Sequence, residues 1–235
     1  MIRRLSLFGL LTAMGLAIAA PSYASAATTI GVNFPAPTSA CGTNETDLQT
    51  SSPNNQYAAP SDGVITSWTF EAGSPAPSSL KLKVARSAGG DNFQIVGESP
   101  VKSPTANATN TYTDVQIPVR AGDVLGYWAD GPTSWCGRFA AGYSFRFRIG
   151  DVLPGTTESF GSELENFQID FSARLEPDCD KDGLGDETQD PDTSSCKATG
   201  QRAAALKKCK KKAKKKHWSK KRLKKCKKKA RLLPV

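Results

Sequence analysis

The chain has 235 residues, with 31 Lys and Arg, 22 Asp and Glu, a single His and a formal charge of +9. The one histidine, His217, stands in a basic C-terminal tail. The preceding body therefore holds no Ser/His/acid triad, no Cys/His pair and no histidine-ligated zinc. The net charge hides a division: residues 27–200 carry 11 Lys and Arg against 22 Asp and Glu, whereas residues 201–235 carry 18 Lys and Arg and no acid.

In chain order, Arg3 and Arg4 precede an apolar run from Leu5 to about Ala20 and the small residues Ala24-Ser25-Ala26, the pattern of an export signal over residues 1–26. The run is shorter than the roughly 18 to 20 residues of a spanning helix, and Pro21 follows it, so no transmembrane anchor is expected. No sorting motif accompanies Leu233-Pro234-Val235, and a secreted protein of this kind is expected to stay near its cell only by non-covalent contacts.

Residues 27–177 read as a β domain long enough to bury one core. Period-two alternation predicts strands over Val64–Glu71, Leu80–Arg86 with Lys81 and Lys83 facing out, Phe93–Gly97, Thr111–Ile117, Val124–Trp128 and Tyr143–Ile149. The clearest run sets Phe167, Ile169, Phe171, Ala173 and Leu175 against Asn166, Gln168, Asp170, Ser172 and Arg174. Gly89-Gly90-Asp91-Asn92 and Ala121-Gly122-Asp123 are turn signals, and no segment of the domain shows helical periodicity. The expected fold is an all-β antiparallel sandwich of jelly-roll or Greek-key type.

Two features of this domain bear on function. Tyr127, Trp128, Asp130 and Trp135 gather three large aromatics and a carboxylate around Gly131-Pro132; packing of both tryptophans against the core and Cys136 is the expected role, and a carbohydrate-binding surface is the alternative. Glu163 and Glu165, two apart on one strand, point the same way, and a solvated pair is expected there in place of a hydrolytic one.

Residues 178–196 form an Asp-rich loop. Asp178, Asp180, Asp182 and Asp186 fall at positions 1, 3, 5 and 9 around Gly183 at position 6, and the carbonyl of Leu184 falls at position 7. A hard cation needs this alternation, because a tight glycine turn lets alternate side chains and one carbonyl enter a single oxygen cage. Over about thirteen residues the loop resembles the thrombospondin type 3 calcium repeat, and more loosely an EF-hand loop. That resemblance implies Ca2+ as cofactor, with Asp178, Asp180, Asp182 and Asp186 as side-chain ligands and Leu184 as a backbone ligand. The acid those motifs carry at position 12 is Gln189 here, with Asp190 one place later, so a terminal ligand shifts to Asp190 or the affinity falls. Pro177 and Pro191 bracket the loop where an EF-hand has helices, and a calcium-stapled linker is expected. More widely, Gly63–Trp68, Leu80–Val84 and Ile117–Gly126, followed by the Asp-rich loop and a Lys-rich end, resemble a group of secreted bacterial proteins; that resemblance implies no activity.

In the tail, residues 197–235, Leu206-Lys-Lys-Cys209-Lys-Lys-Lys-Ala213 recurs as Leu223-Lys-Lys-Cys226-Lys-Lys-Lys-Ala230. Leu, Cys and Ala fall on one helical stripe in each copy, and Ser219 is placed to cap a second helix. An antiparallel helical hairpin and a disordered cationic tail both fit, since eighteen like charges repel. Six cysteines in an exported chain imply three bridges. Fifteen connectivities exist, and neighbourhood favours Cys41 with Cys136, Cys179 with Cys196, and Cys209 with Cys226.

These parts predict a secreted, non-catalytic, calcium-binding protein of the cell envelope or extracellular matrix, held by its tail to anionic cell-wall or extracellular polymers. The alternative is a carbohydrate-binding module at Trp128 and Trp135. No specific nucleic-acid partner is expected, because lysine point charges read charge density and Trp218 alone is available for stacking on bases.

Overall fold

The computed structural model describes residues 26–191, 201–215 and 218–230. Residues 1–25 of the segment read as an export signal (residues 1–26), Cys196 and His217 lie outside them. Thirteen strands run in chain order: β1 Thr28–Val32, β2 Ser39–Ala40, β3 Glu45–Ser51, β4 Gly63–Ala72, β5 Ser79–Gly89, β6 Asn92–Glu98, β7 Ala108–Tyr112, β8 Ile117–Val119, β9 Val124–Asp130, β10 Trp135–Ile149, β11 Thr157–Ser159, β12 Ser162–Ile169 and β13 Phe171–Glu176. They form a two-sheet antiparallel sandwich. One sheet has the order β1-β13-β4-β7, with β8 also on β4; the other has the order β11-β6-β5-β9-β3-β10-β12, with β2 also on β10. The alternating apolar residues of both sheets meet in one core that includes Trp68, Phe70, Tyr127, Phe167 and Phe171. Cys41 and Cys136 are bridged inside it, 5.7 Å apart at Cα. The expected turn at Gly89-Gly90 joins β5 to β6, with φ +100° and +58°, values that a side chain bearing a Cβ rarely adopts.

The long alternating run over residues 166–175 is two strands, not one. β12 lies in the larger sheet and β13 in the smaller, and the chain changes sheet at Asp170. The alternation survives the change because both sheets face the same interior. At the corner the Asp170 N–H donates to the Cys136 carbonyl at 2.8 Å, and its carboxylate accepts from Phe34 N and Asn33 Nδ2, each at 3.1 Å. The expected strand over Thr111–Ile117 also divides: β7 pairs with Trp68–Ala72 at one end of β4, and β8 with Gly63–Ile65 at the other.

Lys83 does not face solvent. It is fully buried on the outer side of the larger sheet, where it holds Glu98, Asp151 and the carbonyl of Val152, and Lys81 joins the same two carboxylates. The segment from Asp151 to Phe160 covers it and brings Val152 and Phe160 against Leu48, Ala85, Phe93 and Ile95, a second small core on that face. Sequence patterning also passed over β3. Its residues Glu45, Thr46, Asp47 and Gln49 are polar, yet all four are buried between β9 and β10. Gln49 explains its own burial: Nε2 donates to the carbonyls of Ser144 and Phe167 at 2.9 and 3.0 Å, and its oxygen accepts Ile169 N at 2.8 Å, so it closes backbone groups that the bulge in β10 leaves open.

In the tail, α1 Gln201–Lys215 and α2 Lys220–Ala230 form a hairpin bridged by Cys209 and Cys226, 5.9 Å apart at Cα. Of the two forms compatible with the sequence, the helical one is present.

Candidate metal loop and basic hairpin

The Asp-rich loop turns on its own aspartates. Asp178 Oδ2 accepts Gly183 N at 3.1 Å, Asp180 Oδ1 accepts Asp182 N at 3.3 Å, Asp182 Oδ1 accepts Leu184 N at 2.8 Å, and Asp186 Oδ2 accepts Cys179 N at 3.0 Å. Gly183 takes φ +89°, the sharp turn its position predicts. The result is two groups of three carboxylates, each group able to place one oxygen per residue within 4.8 Å of the others: Asp178, Asp180 and Asp182, and Asp180, Asp186 and Asp190. Asp180 belongs to both. Asp178 Oδ1 is buried and accepts no hydrogen bond. Burial, and then the charges of Asp178, Asp180 and Asp190, push the Asp186 carboxyl above its usual range. An all-oxygen, self-repelling donor set, exposed at Asp180 and Asp182 and with one orphaned buried oxygen, has the chemistry that a hard cation such as Ca2+ takes.

At the end of the motif, Gln189 and Asp190 part company. Gln189 turns away: its Nε2 donates to the Val115 carbonyl at 2.8 Å and its oxygen accepts Gly185 N at 3.3 Å. Asp190 instead joins Asp180 and Asp186. Of the residues that the spacing selects, the five aspartates come together, while Leu184 is fixed through its N–H to Asp182.

The loop is not a free linker. Glu176, the last residue of β13, is fully buried and gathers it onto the sandwich: Oε2 accepts Glu187 N and Thr188 N at 3.0 and 2.9 Å, and Oε1 accepts the hydroxyls of Thr188 and Thr66, both at 2.9 Å, and Arg174 Nε at 2.8 Å. Burial alone would raise this carboxyl. The donors from Arg174, Thr188, Thr66 and Glu187 together hold it below its usual range. Arg174 also bonds Glu187 at 2.6 Å, and Gly185 lies directly against Thr66 and Glu176, where any side chain would collide. Sequence reasoning missed Glu176; its one signal was an acid closing an amphipathic strand immediately before Pro177.

The aromatic cluster is divided. Tyr127 is buried in the core against Phe70 and Phe171, with its hydroxyl 3.2 Å from Cys136 Sγ, and presents nothing to a ligand. Trp128, next in the strand, points to the opposite face with Lys81 Nζ 5.4 Å above its ring. Trp135 is 42% exposed beside a separate groove, and Asp130 is exposed. Glu163 is engaged by Arg146 at 2.8 Å.

In the hairpin, Ser219 caps α2 as its position predicts: its hydroxyl accepts Arg222 N at 3.4 Å and its carbonyl accepts Leu223 N at 3.1 Å. The Arg222 guanidinium lies 4.7 Å over the Trp218 ring. Cys209 is buried, and Leu206, Ala213 and Leu223 are half-buried along the same stripe. The lysines from Lys207 to Lys215 are exposed, and so are those of α2 apart from the half-buried Lys227. No helix among the described residues is long and apolar enough to cross a membrane. No family model, no curated protein and no solved structure matches the chain.

Proposed function

We propose that the protein is a secreted, non-catalytic, calcium-binding component of the cell envelope or extracellular matrix, retained on anionic polymers by its C-terminal hairpin. The observation that carries this reading is the bridged pair of helices. One disulfide and a narrow apolar stripe hold side by side two segments whose remaining residues are mostly lysine, which concentrates positive charge on a compact body. Such a body is stable when an anion supplies the missing countercharge, and lysine ammonium groups select for charge density over pattern. The calcium reading rests on the carboxylate groups of the loop. Calcium bound there would neutralise the acidic end of the sandwich and fix the loop that Glu176 already clasps.

The test is binding of an anionic polymer by the full chain and by a chain ending at Thr199, at low and high salt. Affinity that falls steeply with salt and is lost with the tail is the expected result. A shortened chain that binds as well as the full one overturns the anchoring role.

A further inference from the structure

We infer that the groove at Trp135, between the end of β4 and the start of β10, binds a neutral or amino-bearing saccharide, with the Trp135 ring as its platform. The groove has a volume of about 360 Å³ and is lined by Trp135, Glu71, Ser74, Asn107, Pro37 and the backbone at Gly73 among others. That lies toward the small end of the roughly 300 to 1,000 Å³ that small-molecule sites span, which suits a short saccharide.

The Trp135 backbone is anchored between the strands that flank the groove. It adjoins Cys136, which is bridged to Cys41 in the core, and its carbonyl accepts Gly73 N at 3.0 Å. Ser134, the preceding residue, accepts Cys41 N at 2.9 Å through its carbonyl. Gly73 sits against the Trp135 backbone and Cβ where any side chain would collide, and its own carbonyl accepts Asn107 N at 3.2 Å, which ties the far wall of the groove to the same point. A tryptophan whose backbone is fixed this firmly, yet which stays 42% exposed, leaves apolar surface uncovered at the groove. An apolar ring at a groove rim, with a carboxylate, an amide and a hydroxyl beside it, matches a sugar, whose C–H face stacks while its hydroxyls take hydrogen bonds.

The lining also sets the class. Glu71 enters the groove with one oxygen held by the Thr109 hydroxyl, and no Lys or Arg lines it. Uronates and sulfated sugars are disfavoured by that charge, whereas neutral sugars and amino sugars are accepted. The groove therefore selects against the polymers assigned to the tail and does not depend on that assignment. Trp128, under Lys81 among the Glu98 and Asp151 carboxylates, lies outside it.

The experiment is a glycan array carrying neutral, N-acetylated, amino and uronate-bearing oligosaccharides, probed with the full chain at high salt to silence the tail. Titration of the best-bound oligosaccharide follows, with tryptophan fluorescence as readout. Trp135→Ala is expected to weaken binding about tenfold or more, the scale of one lost aromatic contact. Glu71→Gln is expected to weaken neutral-sugar binding and relax the exclusion of uronates. Trp128→Ala is expected to bind as the unaltered protein does. Because Glu71→Gln leaves the Trp135 mount untouched, it reports on the groove even if Trp135→Ala misfolds. The inference is overturned if no glycan binds, if Trp135→Ala and Glu71→Gln both leave affinity unchanged, or if uronates alone bind.

Discussion

Asp170 shows how one residue can carry a fold and a pH response together. It is the corner where the chain leaves one sheet for the other, and it has no exposed surface. Burial pushes its carboxyl up to about 7, helped by the charge of Glu71 and opposed by the donors Phe34 N and Asn33 and by the charge of Arg138. An unfolded aspartate titrates near 4, roughly, so the folded protein holds this proton more tightly than the unfolded chain does. Stability from this group is therefore complete below about pH 4 and is lost as pH rises toward 7. Asp47 shifts the same way: burial raises its carboxyl, the Glu45 charge adds to the cost of ionising it, and Tyr127 opposes the shift. Asp170→Asn keeps an acceptor for Phe34 N and cannot ionise. Urea unfolding at about pH 5 and about pH 8 should show the variant gaining stability relative to the unaltered protein as pH rises. An equal pH dependence in both proteins would mean that the Asp170 proton is not held by folding.

At the scale of elements, the Asp-rich loop and the strand before it act as one unit, which makes Glu176 a test of how the loop is held. Glu176→Gln keeps the size but weakens acceptance from Arg174, Thr188, Thr66 and two backbone N–H groups. Charge-assisted bonds of this kind are worth about 1.5 to 3 kcal/mol each before compensation, so a loss of about 2 kcal/mol in unfolding free energy is expected, with calcium affinity reduced as well. Because the Glu176 carboxyl is held below its usual range, its contribution is present above about pH 4 and lost as pH falls through the folded value. Calorimetric titration with calcium separates the metal from the clasp: Asp180→Ala with Asp182→Ala should abolish the heat, since Asp180 belongs to both carboxylate groups. Equal heats in the double variant and the unaltered chain would reduce the loop to an acidic turn. Much of this was legible in sequence. Strict Asp alternation around Gly183 announces the sharp turn and the gathering of carboxylates, and strands with a wet and a dry face announce themselves by period two. Three features were not legible. β3 carries polar side chains inward because Gln49 and its neighbours satisfy backbone groups of other strands, a need set by tertiary placement. Lys83 reads as an outward residue until the segment after Asp151 closes over it. The loop reads as a linker because the clasping acid lies outside the motif, at the end of a strand.

For the whole molecule, the decisive property is the separation of charge along the chain. The 22 acids all lie before residue 201, and 18 of the 31 Lys and Arg lie at or after it. In low salt the tail has an internal competitor for any external polymer, namely the acidic sandwich, and the densest negative site on it is the Asp178–Asp190 loop. Calcium in that loop removes charge from the competitor and leaves the tail unaltered. Adding calcium at low salt should therefore raise the affinity of the full chain for an anionic polymer, and the gain should fade as salt screens both contacts. Asp180→Ala with Asp182→Ala should bind the polymer more tightly than the unaltered chain without calcium, because two acids are gone, and should show little further gain when calcium is added. Polymer affinity measured with and without calcium, for both proteins at two salt concentrations, decides the matter. If calcium leaves the affinity of the unaltered chain unchanged at low salt, the tail does not visit the loop, and the metal serves the sandwich alone.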